Sequence, residues 1–526
     1  MNPDSHIAPY FADNISPVFG LNHLGLRNAS EDLFTTLLPG LNGVTQRVRY
    51  YSFYCWITGV FSTTFTGDDR TDEAYRLFIR KSEILLALLQ ARRDPGVQGI
   101  PGITYALDVL ERGNDPIDLL RCVHRTDTKP DTKGTYWSNR GGILRQYYNA
   151  SMKDLVLLAS PKEANKKLDN VSLPSLKTDD LPENVILGED LGSAFLGSIG
   201  EETANLFVSC VMASSVTLEQ LDKMKDRMVM KDFGDIGGER EKLIDMLNQK
   251  DSPGNELSDR HLRRDTIRHL LDYFLHDRTS GEKDSVQFPG VLCHKVLEGE
   301  LSDECALGWY AYSVNDWWQY HNSIIFFCLL EILQKEKGWV LIEDVTDRLS
   351  TGIYDALLEE DGITLSDVCK LIETGCVSLI ATDSIEGKAA AAMSSILRIY
   401  CENRCHPETV KAYLEAFRTT RKGNDFFAFM EELNARLDMS FLQFLNDFIL
   451  RNIIYRHHNV SLMKFSATKV SSNKFLLEDG YLRFIEQTEY NHTAPRLDSL
   501  IGYLTDLGLL KDFVPTDDAK KRYNLA

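Results

Sequence analysis

The sequence predicts a mainly α, multi-helical protein with a small carboxy-terminal β-hairpin and candidate winged-helix modules. Three observations carry that expectation. Apolar side chains recur every three or four residues in long stretches along the chain, the spacing that lines up one helical face. Runs that alternate at period two are few; the best is "KFLLEDGYLRFIE" (474–486), where Asp479-Gly480 is a type I′ turn pair between two apolar arms. The composition, 43% hydrophobic and 26% charged over 526 residues, leaves ample material for a core.

The first element of note is "YYSFYCWITGVFSTTF" (50–65), seven aromatic rings with no charge among them. A membrane-spanning helix needs about twenty mainly apolar residues. This run is shorter, carries five Ser or Thr hydroxyls, and is bounded by Arg47, Arg49, Asp68, Asp69 and Arg70. Tyr50, Phe53, Tyr54, Ile57 and Phe61 share one helical face, and Tyr51 and Trp56 widen it. That width predicts a buried helix rather than a stacking platform, which would interleave cations with its rings.

The next stretch, 71–93, opens on Thr71 and Asp72 and closes on arginines, favourable chemistry at both helix ends. Helical periodicity returns in 215–228, 259–278, 313–338, 405–422 and 440–458. Between these lie polar, proline-bearing linkers at 160–184 and 247–259, with a further boundary near 276–290. The resulting division is an amino-terminal helical domain (1–160), a central one (161–378) and a carboxy-terminal one with the hairpin (379–526). Two segments, 144–158 and 497–510, end in Asp-Leu-x-Leu-Leu after an amphipathic run. Such an ending suits a winged-helix module, with the 474–486 hairpin as a wing for the second copy, and it suits a generic helix end equally.

Net charge is −19, which disfavours nucleic-acid binding by the whole surface. Two segments run against that background. Residues 448–477 hold Arg451, Arg456, Lys464, Lys469 and Lys474 with no acid, beside His457 and His458; residues 121–153, which include Arg140 and Arg145, are also +5. The two together carry +10, so the rest of the chain carries −29. Cations beside tyrosines fit a phosphate-contacting surface, and they fit docking on an acidic protein face.

Other constellations are weaker. "CENRCH" (401–406) offers Cys401, Cys405 and His406 without the second ligand pair that zinc prefers. "GDIGGEREKL" (234–243) lacks the lysine of a phosphate loop and reads as a helix start at Glu239 and Glu241. His261, His269 and His276 read as surface and interface histidines. "NDWWQYHN" (315–322), placed at a helix entrance, gives Asp316, Trp317, Trp318, Gln319, His321 and Asn322 as a candidate pocket with aromatic walls, or as a buried hydrogen-bond network. No local signature of a hydrolase, kinase or metalloprotease is present, and no catalytic residue, metal or cofactor is expected. Ten cysteines without a framework, several in apolar runs, and a start lacking a secretory pattern point to a cytoplasmic protein with no membrane partner.

The segments 37–56 and 317–327, together with the carboxy-terminal "HHNVSLMKF", "FLLEDGYLRFIE" and "RLDSLIGYLTDLGLL", resemble a poorly characterised group of long bacterial proteins associated with anti-phage defence neighbourhoods. The resemblance implies a bacterial cytoplasmic subunit that acts beside other gene products. The expected function is therefore a non-enzymatic scaffold or adaptor subunit that binds other proteins, with DNA contact through the basic segments. The alternatives are a DNA-acting effector, such as a nuclease with dispersed acids, and a small-molecule-sensing helical module.

Overall fold

The computed structural model describes residues 22–44, 47–124, 132–159, 185–186, 188–231, 233–234, 238–248, 260–279, 283–359, 362–376, 383–404, 413 and 425–525. The chain is mainly helical, with a few short antiparallel strands. The linker expected at 160–184 and all but 247–248 of the one at 247–259 lie outside the described residues. So do Cys405, His406 and, apart from Tyr413, the helix expected over 405–422. Among the described residues no helix is long and apolar enough to cross a membrane.

Two compact units form, each from separated stretches of chain: 1–34 with 281–495, and 35–280 with 496–526. The break at Ser280–Gly281 falls inside the 276–290 stretch.

The second of these, the aromatic unit, is built on the helix Arg49–Thr64, buried from Arg49 through Thr58 and again at Phe61. Its rings interlock at the spacings that aromatic pairs prefer. Phe53, fully enclosed, meets Phe195 at 5.9 Å and Phe207 at 6.1 Å. Gly192 lets the helix Glu189–Ile199 lie against this one, since a Cβ there would sit 3.0 Å from the backbone of Cys55 and Trp56. The neighbouring helix Asp72–Arg93 is capped by Thr71, whose hydroxyl accepts from the Ala74 N–H at 3.1 Å. It buries charge as well as apolar surface. The Glu83 carboxylate accepts from the Ile143 and Leu144 N–H groups at 2.9 and 2.8 Å and from the Tyr54 and Tyr136 hydroxyls. Arg49 and Glu239, both buried, form a paired contact that Ser52 completes. Glu239 opens the helix Glu239–Leu247 directly after Gly238, and residues 235–237 lie outside the described residues.

Both Asp-Leu-x-Leu-Leu segments belong to this unit and end alike. Leu157 N–H bonds back to the Met152 carbonyl at 2.8 Å, and Leu509 N–H to that of Leu504 at 2.9 Å. Val156 and Gly508, in the variable position, take φ of 57° and 64°. These are left-handed helix ends of the Schellman type. Each leads into a two-residue strand, Leu158–Ala159 or Leu510–Lys511. The second copy has its own hairpin partner, Val514–Pro515, whereas the 474–486 hairpin belongs to the other unit.

The long-helix unit is organised by Glu304–Glu336, whose cap is Asp303, accepting from the Ala306 N–H at 3.2 Å. The segment 315–322 therefore sits mid-helix and not at a helix entrance. The residues ahead of it, from Cys305 to Val314, are apolar enough to be buried and continue the same helix. Helices Asp284–Leu297, Ile342–Leu357 and Ile385–Asn403 pack around it. The hairpin forms as expected, Phe475–Glu478 with Tyr481–Phe484, with Asp479 and Gly480 at φ of 48° and 82°. A third strand, Trp339–Leu341, which the sequence did not announce, pairs antiparallel with Tyr481–Phe484.

Candidate ligand cleft and its surroundings

The 315–322 stretch meets the extended segment that follows the hairpin. Asp316, buried, accepts from the Thr493 N–H at 2.7 Å, the Gln319 amide at 3.1 Å and His492 Nδ1–H at 2.7 Å. Gln319 donates again to the Asn491 carbonyl at 3.1 Å. His492 lies flat on Tyr320, ring centroids 3.9 Å apart. Arg27 donates to the His492 carbonyl at 2.9 Å, and Tyr312, one turn before Asp316 on the long helix, to that of Thr493 at 3.0 Å. The extended segment is thus fastened along the long helix by charge-assisted and backbone hydrogen bonds, the arrangement that fixes a segment most firmly.

The other candidates in this stretch point elsewhere. Trp318 stacks on Phe429 at 5.6 Å in the core. Asn322 bonds the Trp318 carbonyl at 2.8 Å, one turn back on the same helix. His321 donates from Nδ1 to the Trp317 carbonyl at 3.1 Å, and burial pushes its imidazole down to about 4. Trp317 lies near Gly290.

Beside the network opens a cleft of about 500 Å³. Asn22, His23, Leu24, Leu26 and Arg27 form one wall; Gln319, Ser323, Phe326 and Phe327 of the long helix form another; Lys474, Gln487, Thr488, Glu489 and Asn491 complete it. Gln319 is the candidate that joins network and cleft. His23, Arg27, Gln487 and Asn491 carry no local signal in the sequence, because the two walls that supply them are more than 400 positions apart in the chain.

The basic segment 448–477 is divided by burial. His457 is enclosed: Nδ1 donates to the His23 carbonyl at 3.0 Å, and Nε2 accepts from the Lys474 N–H at 3.0 Å. Burial, ahead of weaker opposing contacts, holds its imidazole down to about 3. Lys464, also buried, donates to the Asn22 carbonyl at 2.8 Å, and burial lowers its ammonium to about 8. Lys474 is paired with Glu486. Arg456 and His458 are half-buried, and burial lowers both. Arg451 is exposed, 3.9 Å from Asp447, in a stretch of π-helix (Ile449–Tyr455), and Lys469 is exposed at a helix end. In the aromatic unit Arg140 pairs with Glu73 at 2.9 Å, and Arg145 is exposed in a second π-helical turn, Leu144–Tyr148. Arg125 and Lys129 lie outside the described residues.

Cys401 is buried with its thiol 3.7 Å from the Cys369 carbonyl, which accounts for it as packing within the helix Ile385–Asn403. No family model, curated protein or solved structure matches this chain.

Proposed function

We propose that this protein is a non-enzymatic adaptor subunit that docks another protein on the outer face of the three-stranded sheet in its long-helix unit. The observation that supports this is a run of large apolar side chains facing solvent on adjoining rows. The register sets Trp339, Arg483 and Leu476 in one row and Leu341, Tyr481 and Glu478 in the next. Trp339, Leu341, Leu476 and Tyr481 keep 38–42% of their surface exposed, while Leu482 between them points inward and is fully buried. The Arg483 guanidinium lies 5.9 Å from the Trp339 ring centre. Exposed aromatics with an arginine among them are the composition enriched where proteins meet. Such a role fits the setting that the family resemblance implies, a bacterial cytoplasmic subunit working beside other gene products in anti-phage defence.

Contact with duplex DNA is the second reading. It rests on Lys469, Arg451 and Arg145 at the surface and on the helix Leu497–Asp506 with its own hairpin as a winged-helix candidate. Lys464 and His457, turned inward, add nothing to a phosphate-contacting face.

The two readings separate in one comparison. The protein purified with its partner from the native host is set against a Trp339→Asp, Tyr481→Asp variant and a Lys469→Glu, Arg451→Glu variant. Docking predicts that the first variant loses the partner, and that the second leaves duplex affinity unchanged at two ionic strengths. Retention of the partner by the aspartate variant would sink the docking surface. A salt slope for duplex binding that falls by about one for each reversed cation would establish DNA contact instead.

A further inference from the structure

We infer that the cleft of the long-helix unit binds a small organic oxyanion, a phosphate or carboxylate head on a planar body of about mononucleotide size. The site is distinct from the sheet face proposed for docking.

The volume, about 500 Å³, falls within the range of small-molecule sites. Charge sets the class of ligand. Arg27 and Lys474 line the cleft, and Lys464 stands close behind the Asn22 wall. Of the charged residues that line the cleft two are cations, Arg27 and Lys474, and one is a carboxylate, Glu489, exposed at the rim. Glu486 pairs with Lys474 from outside the lining, and the neighbouring Asp316 is engaged by Thr493, Gln319 and His492. Arg27, Lys464 and Lys474 all stand near enough to His23 to oppose a positive charge on its ring, which adds to burial in pulling it down to about 4. His23 therefore lines the cleft as a neutral imidazole, a ring that has one donor and one acceptor nitrogen.

Neither ring nitrogen of His23 has a protein partner, although both are shielded from solvent, and Arg27 Nε is in the same condition. Shielded polar atoms without partners are costly, and a turn of these two side chains, both on one wall of the cleft, would let a ligand's oxygens satisfy them. Leu24, Leu26, Phe326 and Phe327 supply apolar wall for a planar body, and the Gln487 and Asn491 side chains supply hydrogen-bonding groups at its edge.

The test is calorimetric titration of the full chain with adenosine 5′-monophosphate, nicotinate, adenosine and inorganic phosphate. The expected result is binding of at least one of the two organic anions, with adenosine at least tenfold weaker. Preference for the monophosphate assigns a phosphate head, and preference for nicotinate a carboxylate. Lys474→Met and His23→Phe should each weaken binding tenfold or more. Because either could disturb packing, Asn491→Asp serves as the second variant: it is nearly isosteric, its position is exposed, and it places a negative charge at the cleft. It should leave the thermal melt unchanged and weaken the anion at least tenfold. The inference is overturned if neither organic anion binds at millimolar concentration, if adenosine binds as well as its monophosphate, or if Asn491→Asp and Lys474→Met both bind undiminished. Inorganic phosphate binding alone, without either organic anion, overturns the planar body and with it the ligand class.

Discussion

His457 is held neutral by the bonds at its two nitrogens. With Nδ1–H donating to the His23 carbonyl, Nε2 must stay bare to accept the Lys474 N–H. A second proton would break that contact and charge a buried ring. Its folded value, about 3, lies below the ordinary 6.5, so in the window between them the unfolded chain holds a proton that the folded one lacks. Stability contributed by this ring is therefore fully present above about pH 6.5 and is lost as pH falls towards 3. His321, at about 4, adds to the slope over a shorter window. Urea denaturation at pH steps from 7 to 4 should show stability falling throughout. His457→Gln should flatten that slope by about one proton, ~1.4 kcal/mol per pH unit. An unchanged slope would show that the ring is not enclosed. In the sequence His457 stands within a run of cations and so counted as a surface candidate. Yet Ile453, His457, Val460 and Lys464 are spaced by three or four, and that period, more than the charge, foretold the burial.

At the scale of elements, the two Asp-Leu-x-Leu-Leu segments show what a repeated short pattern encodes. Each closes a helix with the same pair of backbone bonds and releases the chain into a strand, which the leucine spacing alone does not distinguish from a generic helix end. The variable position needs a left-handed backbone, which glycine takes freely and a β-branched residue takes at a cost. Gly508 has open space around the place of its missing Cβ, so conformation alone governs a substitution there. Gly508→Val should lower stability by about 1–2 kcal/mol. Val156→Gly should act in the opposite direction and more weakly, since relief of strain is offset by about 0.5–1 kcal/mol of added freedom in the unfolded chain. Urea midpoints of the two variants measured together decide the matter. Equal signs would mean that the left-handed turn does not control these ends.

At the scale of the whole molecule, each unit is closed by a segment far away in the chain. Helix Leu497–Asp506 buries Leu497, Leu500, Tyr503 and Leu504 in the aromatic unit, and Asp506 reaches Arg47 at 2.8 Å. Tyr523 donates to Asn248 at 2.8 Å, and Arg240 to the Leu507 carbonyl at 2.7 Å. Burying four such side chains is worth about 1.5–3 kcal/mol each, comparable with the 5–15 kcal/mol that holds a typical domain. A chain ending at Pro495 should accordingly lose the cooperative melting of the aromatic unit, followed by calorimetry and near-ultraviolet circular dichroism. A normal melt from that truncation would show the carboxy-terminal segment to be an accessory.

By itself the sequence determined the helical class, the burial of the aromatic helix and the position of the hairpin turn, because each follows from backbone geometry over a few neighbouring residues. The period of 3.6, the capping Thr71 and the Asp479-Gly480 pair are all local facts. Tertiary structure alone decided which buried polar groups meet. Arg49 finds Glu239 across 190 residues, and Asp316 finds the Thr493 N–H across 177. It also decided that Lys464 faces inward while Lys469 faces out, and that residues 22–27 and 487–491 enclose one cleft. No spacing records such pairings, since they depend on how distant segments pack to bury apolar surface, and a polar side chain is then compelled to accept whatever partner that packing delivers.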